Sequence, residues 1–158
     1  MNDDTIKVIA PIYLLRSFQA CWKCGANQAV IAIATRHLEE TDPDALHEGD
    51  EPVVLESIEM MPAAILEYIR RVHPRYEKRA SKMAGVAYYM NTCTCGAHFG
   101  DFYMHSEPGG AFYPMSEDEA RQILIEEMPF TGKYDFVCGY GIGNGAYIFE
   151  HARRRQNS

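Results

Sequence analysis

Four of the five cysteines fall in two tight pairs, Cys21-x-x-Cys24 and Cys93-x-Cys95, and each pair is followed at once by a glycine, Gly25 or Gly96. Two cysteines on one turn present two sulfurs from a single segment. A following glycine lets that turn take a positive φ and aim backbone amides at the sulfurs. Two such turns supply four soft ligands, the set zinc takes in a tetrahedron at about 2.3 Å. The 68 residues between the pairs are no obstacle, because loop-closure cost grows only logarithmically with length. Cys21, Cys24, Cys93 and Cys95 are the expected metal ligands and Zn2+ the expected cofactor. Disulfides or free thiols compete with this reading, and an iron site is a smaller alternative. A closed four-cysteine site keeps no open coordination position, so the expected role of the metal is structural.

The rest of the chain alternates strand and helix signals. Residues 5–20 are rich in β-branched and aliphatic side chains, with Pro11 against a helix, and read as a strand. Ala29 to Thr35 is a short apolar run, expected as a buried strand, so the first cysteine pair sits at the turn between two strands. Residues 39–52 read as a loop and Val53 to Met60 as a strand. Pro62 suits the first turn of a helix with Ile65, Ile69 and Val72 on one face, ended by Pro74. Val86 to Met90 and His98 to His105 are expected as strands flanking the second cysteine pair, with Ala111 to Pro114 extended. Ser116 and Glu119 form a capping box. The helix behind it is expected to carry Ala120, Ile123, Leu124 and Met128 on one face and to stop at Pro129. Tyr134 to Val137 and Tyr147 to Phe149 read as two strands joined through Gly139, Gly141, Gly143 and Gly145. The expected fold is α+β: antiparallel strands bearing the cysteine turns, packed with two main helices, in one domain over residues 1–158.

The phrases Cys-Trp-Lys-Cys-Gly-Ala and Asn-Thr-Cys-Thr-Cys-Gly-Ala, the second followed by Phe99-Gly100-Asp101, resemble the zinc-ribbon group and uncharacterised bacterial proteins with a split ribbon. In that group two cysteine knuckles on two hairpins share one structural zinc. The resemblance covers the knuckles and their flanking strands, under half of the chain. It implies a metal and a local architecture, and no particular activity. In one departure, only Thr94 separates the second pair where the ribbon has two residues. His98 and His105 stand nearby as substitute ligands, although four cysteines already suffice.

Charge narrows the function classes. The net charge is −7, whereas general nucleic-acid binders carry a basic footprint. Seven carboxylates, Glu39, Glu40, Asp42, Asp44, Glu48, Asp50 and Glu51, crowd into thirteen residues. Six cations from Arg70 to Lys82 crowd into another thirteen. Such runs are commonly solvated faces; the sharper expectation is that the acidic run contacts a basic protein partner. Cys138 lacks a local base and reads as a small buried hydrophobe. No Ser/His/Asp arrangement, paired-carboxylate motif or phosphate loop stands out.

The acidic start Met1-Asn2-Asp3-Asp4 and the absence of an apolar signal core read as cytoplasmic, and no apolar run reaches the roughly 18–20 residues of a membrane helix. The leading functional expectation is a non-enzymatic protein-binding module with a structural zinc, of the inhibitor or immunity type, neutralising a basic toxin or nuclease. The alternatives are a nucleic-acid-associated zinc-ribbon protein using Arg70 to Lys82 and the terminal arginines, and an enzyme or ligand binder.

Overall fold

The computed structural model describes residues 5–40, 49–81, 85–108, 110–141 and 144–154. The elements run β1 (Thr5–Ala20), β2 (Asn27–Glu39), β3 (Val53–Met60), α1 (Ala63–Val72), β4 (Tyr76–Ala80), β5 (Ala87–Thr92), β6 (His98–Phe99), α2 (Asp101–Ser106), α3 (Glu117–Ala120), β7 (Leu124–Glu127), β8 (Lys133–Gly141), α4 (Asn144–His151) and β9 (Arg153–Arg154).

β1 and β2 form a long antiparallel ribbon that buries both of its faces. Ile12 and Leu14 of β1 lie with Ile31 and Ile33 of β2 in one apolar cluster, whereas Leu15 lies with Val30, Ala32 and Ala34 in another. A strand covered on both sides has no polar face to alternate with, which is why the buried residues 30–34 are continuously apolar. The ribbon's register slips between Ile9 and Ile12, at Pro11, which has no N–H to give to a ladder.

Strands β1, β2, β3 and β8 close into a small barrel, because β1 pairs with β2 on one edge and with β8 on the other, and β3 joins β2 to β8. Beyond Ile9 the free edge of β1 is taken over by β7, which pairs Tyr13 with Glu127 through Arg16 with Leu124. The barrel cluster holds Ile6, Val8, Leu55 and Phe136, and α1 adds Ile65 and Ile69. Each such fully buried side chain contributes roughly 1.5–3 kcal/mol. The second cluster, outside the barrel, is covered by Met104 of α2 and by Ile148 and Phe149 of α4, and it includes Cys21 and Cys93.

Strands β4, β5 and β6 make a separate antiparallel sheet. A buried side chain of β5 bonds it to β2. Asn91, buried, accepts from the Ile31 amide at 2.9 Å and donates to the Ile31 carbonyl at 3.0 Å. Its carboxamide thus does what a neighbouring strand's peptide group would do for β2.

The fold is α+β and strand-rich, and several expected elements differ. Only His98 and Phe99 of the expected 98–105 strand pair with β5; Gly100 breaks the strand and α2 follows. Ala111 and Phe112 lie in a turn, and no residue from Ala111 to Pro114 is in a strand. The cap at Ser116 is real, its Oγ accepting from the Glu119 amide at 3.2 Å, but Glu119 reaches the Met115 amide rather than Ser116's own. The helix it starts is one turn long, because Leu124–Glu127 is drawn into pairing with β1. Ala120, Ile123, Leu124 and Met128 therefore share no helix face. Residues 147–149 belong to α4 and not to a strand. Val72 is exposed, and α1 buries only Ile65 and Ile69. Four short helices, rather than two main ones, are present among the described residues.

Candidate metal centre

Both cysteine pairs sit on hairpin turns. Cys21 to Gly25 connects β1 to β2, and Cys93 to Gly96 connects β5 to β6. The turns are built alike. In the first, the Cys21 amide donates to the Ala26 carbonyl and the Gly25 amide to the Cys21 carbonyl. In the second, the Cys93 amide donates to the Ala97 carbonyl and the Gly96 amide to the Cys93 carbonyl. Gly25 and Gly96 take φ of 77° and 95°, in the left-handed region where a side chain is strained. The second turn is one residue shorter and still returns its chain the same way. With only Thr94 between them, Cys93 and Cys95 still both place their sulfurs in the four-cysteine cluster.

The fold brings the two turns together. The four sulfurs lie within 4.8 Å of one another. Cys21 Sγ is 3.7 Å from Cys95 Sγ, and Cys24 Sγ is 3.6 Å from Cys93 Sγ. A tetrahedron of thiolates at the zinc–sulfur distance of about 2.3 Å has edges of about 3.8 Å, whereas a disulfide needs about 2.05 Å. The spacing fits four ligands of one metal ion and excludes a bond between any of these sulfurs. Cys21 and Cys93 are buried, and Cys24 and Cys95 are exposed. Among the described residues the cluster contains cysteines alone. His105 is buried elsewhere, facing Glu56, and the His98 backbone serves the site instead.

Backbone amides favour thiolate at the two buried sulfurs. The Cys24 amide, with that of Lys23, pulls the Cys21 thiol down to about 6 against the opposing effect of burial. The Cys95 amide lowers Cys93 in the same way. The Ala26 amide also pulls on Cys24, but the neighbouring sulfurs, Cys93 foremost, outweigh it and push that thiol up to about 11. Crowding of this kind among four sulfurs is what a bound dication relieves.

The site carries an exposed aromatic. Trp22, the chain's one tryptophan, lies between Cys21 and Cys24 and is 73% exposed. Its Nε1 donates to the His98 carbonyl at 2.8 Å, which ties the first knuckle to β6 independently of any metal. Trp22 lines a hollow of about 550 Å³ together with Lys23, Tyr88, Met90 and His98. It also lines a second, of about 430 Å³, with Gln19, Phe99 and Met104.

Of the expected partner-contact residues, Glu39, Glu40, Asp50 and Glu51 are described, at the end of β2 and the entry to β3, which pair antiparallel. Glu39 pairs with Lys133 at 2.6 Å, and Glu40 accepts from the Tyr140 hydroxyl at 2.7 Å. Asp50 and Glu51 follow at the entry to β3. Asp42, Asp44 and Glu48 lie outside the described residues, as does Lys82. Of the basic run, Arg70 and Arg71 end α1 and Lys78 and Arg79 lie on β4; Arg71 pairs with Glu67 and Arg79 with Glu77. Cys138 is half-buried against the barrel cluster, where burial pushes its thiol up to about 12.

One group of titratable residues has no counterpart in the sequence reading. β3 breaks at Ser57, whose φ is 50°, and the Ser57 amide donates to Asp101 Oδ2 at 2.8 Å. Burial pushes Asp101 up to about 7, against the pull of that amide and with a further push from Glu56. His105, driven down to about 4 by burial, places Nδ1 3.9 Å from Glu56 Oε2. Glu56 is itself raised by burial. These residues come from segments some 45 positions apart, and no local spacing announces their meeting.

No family model, curated protein or solved structure matches the chain. The metal reading therefore rests on the four sulfurs and their geometry. Among the described residues no helix is long and apolar enough to cross a membrane.

Proposed function

We propose that this chain is a non-enzymatic protein-binding module built around a structural zinc of the split-ribbon kind. The observation that carries the reading is the set of four sulfurs spaced for one tetrahedral ion, joining segments 68 residues apart. Four thiolates fill a zinc ion's coordination shell and leave no position for a substrate or an activated water. Zinc here would be held by Cys21, Cys24, Cys93 and Cys95, and its chemistry would be that of a cross-link. The knuckles support Trp22, fixed by its bond to His98 and open to solvent. Tryptophan is among the residues enriched at the energetic centres of protein interfaces.

The finer reading is an inhibitor of the immunity type that neutralises a basic partner, motivated by the net charge of −7 and the 39–51 carboxylates. The test is affinity capture with the tagged full chain at two salt concentrations. One near-stoichiometric basic protein, released by salt, is expected. Trp22→Ala is expected to keep one zinc per chain and to weaken capture at least tenfold. Zinc-free purified protein would refute the metal reading. Unchanged capture by Trp22→Ala and by a variant with the 39–51 carboxylates neutralised would refute this choice of surface.

A further inference from the structure

Two sulfur–sulfur contacts cross between the knuckles, and each joins an exposed cysteine to a buried one. Exposed Cys95 lies 3.7 Å from buried Cys21, and exposed Cys24 lies 3.6 Å from buried Cys93. An oxidant in solvent meets Cys24 and Cys95 first. Behind each stands a second sulfur in the opposite hairpin, about 1.6 Å beyond disulfide bonding distance.

We infer that the centre is an oxidation-sensitive latch in which a hydroperoxide converts the metal cross-link into two knuckle-to-knuckle disulfides, Cys24–Cys93 and Cys21–Cys95. The inference rests on the zinc reading above. In the first step an exposed thiolate attacks the peroxide, the O–O bond breaks, and sulfenic acid and hydroxide form. In the second, the buried thiolate across the centre attacks the sulfenic sulfur. The S–S bond forms and a second hydroxide leaves. Each disulfide takes two electrons from its pair of sulfurs and reduces one hydrogen peroxide to two hydroxides. Two peroxides oxidise all four thiolates, four hydroxides form, and the zinc ion, having lost its anionic ligands, is released.

The crossing connectivity decides what survives. Bonds within a knuckle, Cys21–Cys24 and Cys93–Cys95, would join residues that already share a turn and would leave the hairpins untied. Bonds between knuckles hold together the same segments that the metal held. The Trp22 bond to His98 and the Asn91 bonds to Ile31 span that junction too and need no metal. The oxidised chain is thus expected to stay folded while its metal is lost.

The experiment uses the unmodified full chain with its zinc content measured first. Hydrogen peroxide is titrated in the presence of a zinc-binding dye, remaining thiols are alkylated, and the chain is digested with trypsin. Lys23 lies between Cys21 and Cys24, so cleavage there places those two cysteines on different peptides. The expected result is complete loss of one zinc per chain at about two peroxides per zinc, with unchanged far-UV circular dichroism. Both first-knuckle peptides should be linked to the peptide carrying Cys93 and Cys95, and fragmentation at Thr94 should assign Cys21 to Cys95 and Cys24 to Cys93. A thiol reductant with added zinc should restore the metal and the original Trp22 emission. Zinc that stays bound at tenfold excess peroxide, links confined within knuckles, or loss of fold on oxidation would overturn the latch and leave the structural-zinc reading standing. A chain that binds no zinc would overturn both.

Discussion

Asp101 and His105 lie one helical turn apart on α2, and burial pushes them in opposite directions along the pH scale. Asp101, raised to about 7, holds its proton in the folded chain through a range where the unfolded chain has released it. The stability it contributes is complete below about pH 4 and is lost as pH rises through about 7. His105, lowered to about 4, stays neutral where the unfolded chain takes up a proton. Its contribution is complete above about pH 6.5 and is lost as pH falls through about 4. The two windows overlap and their slopes cancel in the native chain. Single substitutions should uncover them. Asp101→Asn keeps an acceptor for the Ser57 amide, and its unfolding free energy should fall, relative to the native chain, on acidification from pH 7 to 4.5. His105→Leu should shift the other way over the same range. Urea unfolding at several pH values checks both signs, and two profiles parallel to the native one would show that these groups titrate as exposed ones. None of this was legible beforehand, because a buried titratable residue looks like a surface one until the chain over it is placed.

Elements were legible where local chemistry and tertiary demand agree. The cysteine turns are the clearest case: the glycine after each pair calls for a positive φ, and both turns have it. The segment after Ser116 shows the opposite. Its cap and its apolar spacing fit a helix, but the edge of β1 beyond Ile9 needs a partner, and four residues of β7 satisfy more of its backbone than another helical turn would. The helical signal of α4 is weak for a related reason. Glycine is a poor helix former, and Gly145 weakens any helix signal near it. The structure explains its presence: a Cβ there would stand 2.4 Å from the Pro52 carbonyl oxygen, so glycine lets α4 close against the start of β3. Gly145→Ala should therefore be destabilising despite alanine's better helix propensity, by about 1–3 kcal/mol as for other overpacked sites. Thermal unfolding decides this, and a stabilised variant would mean that α4 does not press on β3.

At the scale of the molecule, the barrel and the small sheet meet through Asn91, through Trp22 and through the cysteine centre. If a third of the roughly 10–16 kcal/mol typical of structural zinc reaches the fold, the thermal midpoint of the zinc-bound chain rises by about 7–20 °C. Removing zinc with a chelator, or substituting Cys24→Ser, should lower it by that amount. A midpoint indifferent to both would leave the cluster without a role in stability. The cysteine spacing, read alone, was enough to point to the four sulfurs that the fold gathers and to their turns, because what such a cluster asks of the chain is local: two sulfurs per turn and a glycine to bend it. The strand character of β1, β2 and β3 was equally plain, since β-branched density is a property of the segment itself. The closure of four strands into a barrel, the diversion of residues 124–127 into a sheet and the meeting of Glu56, Asp101 and His105 were settled by the tertiary structure. Each depends on which backbone edges and apolar faces remain unsatisfied once the rest of the chain is in place, and no short stretch of residues records that.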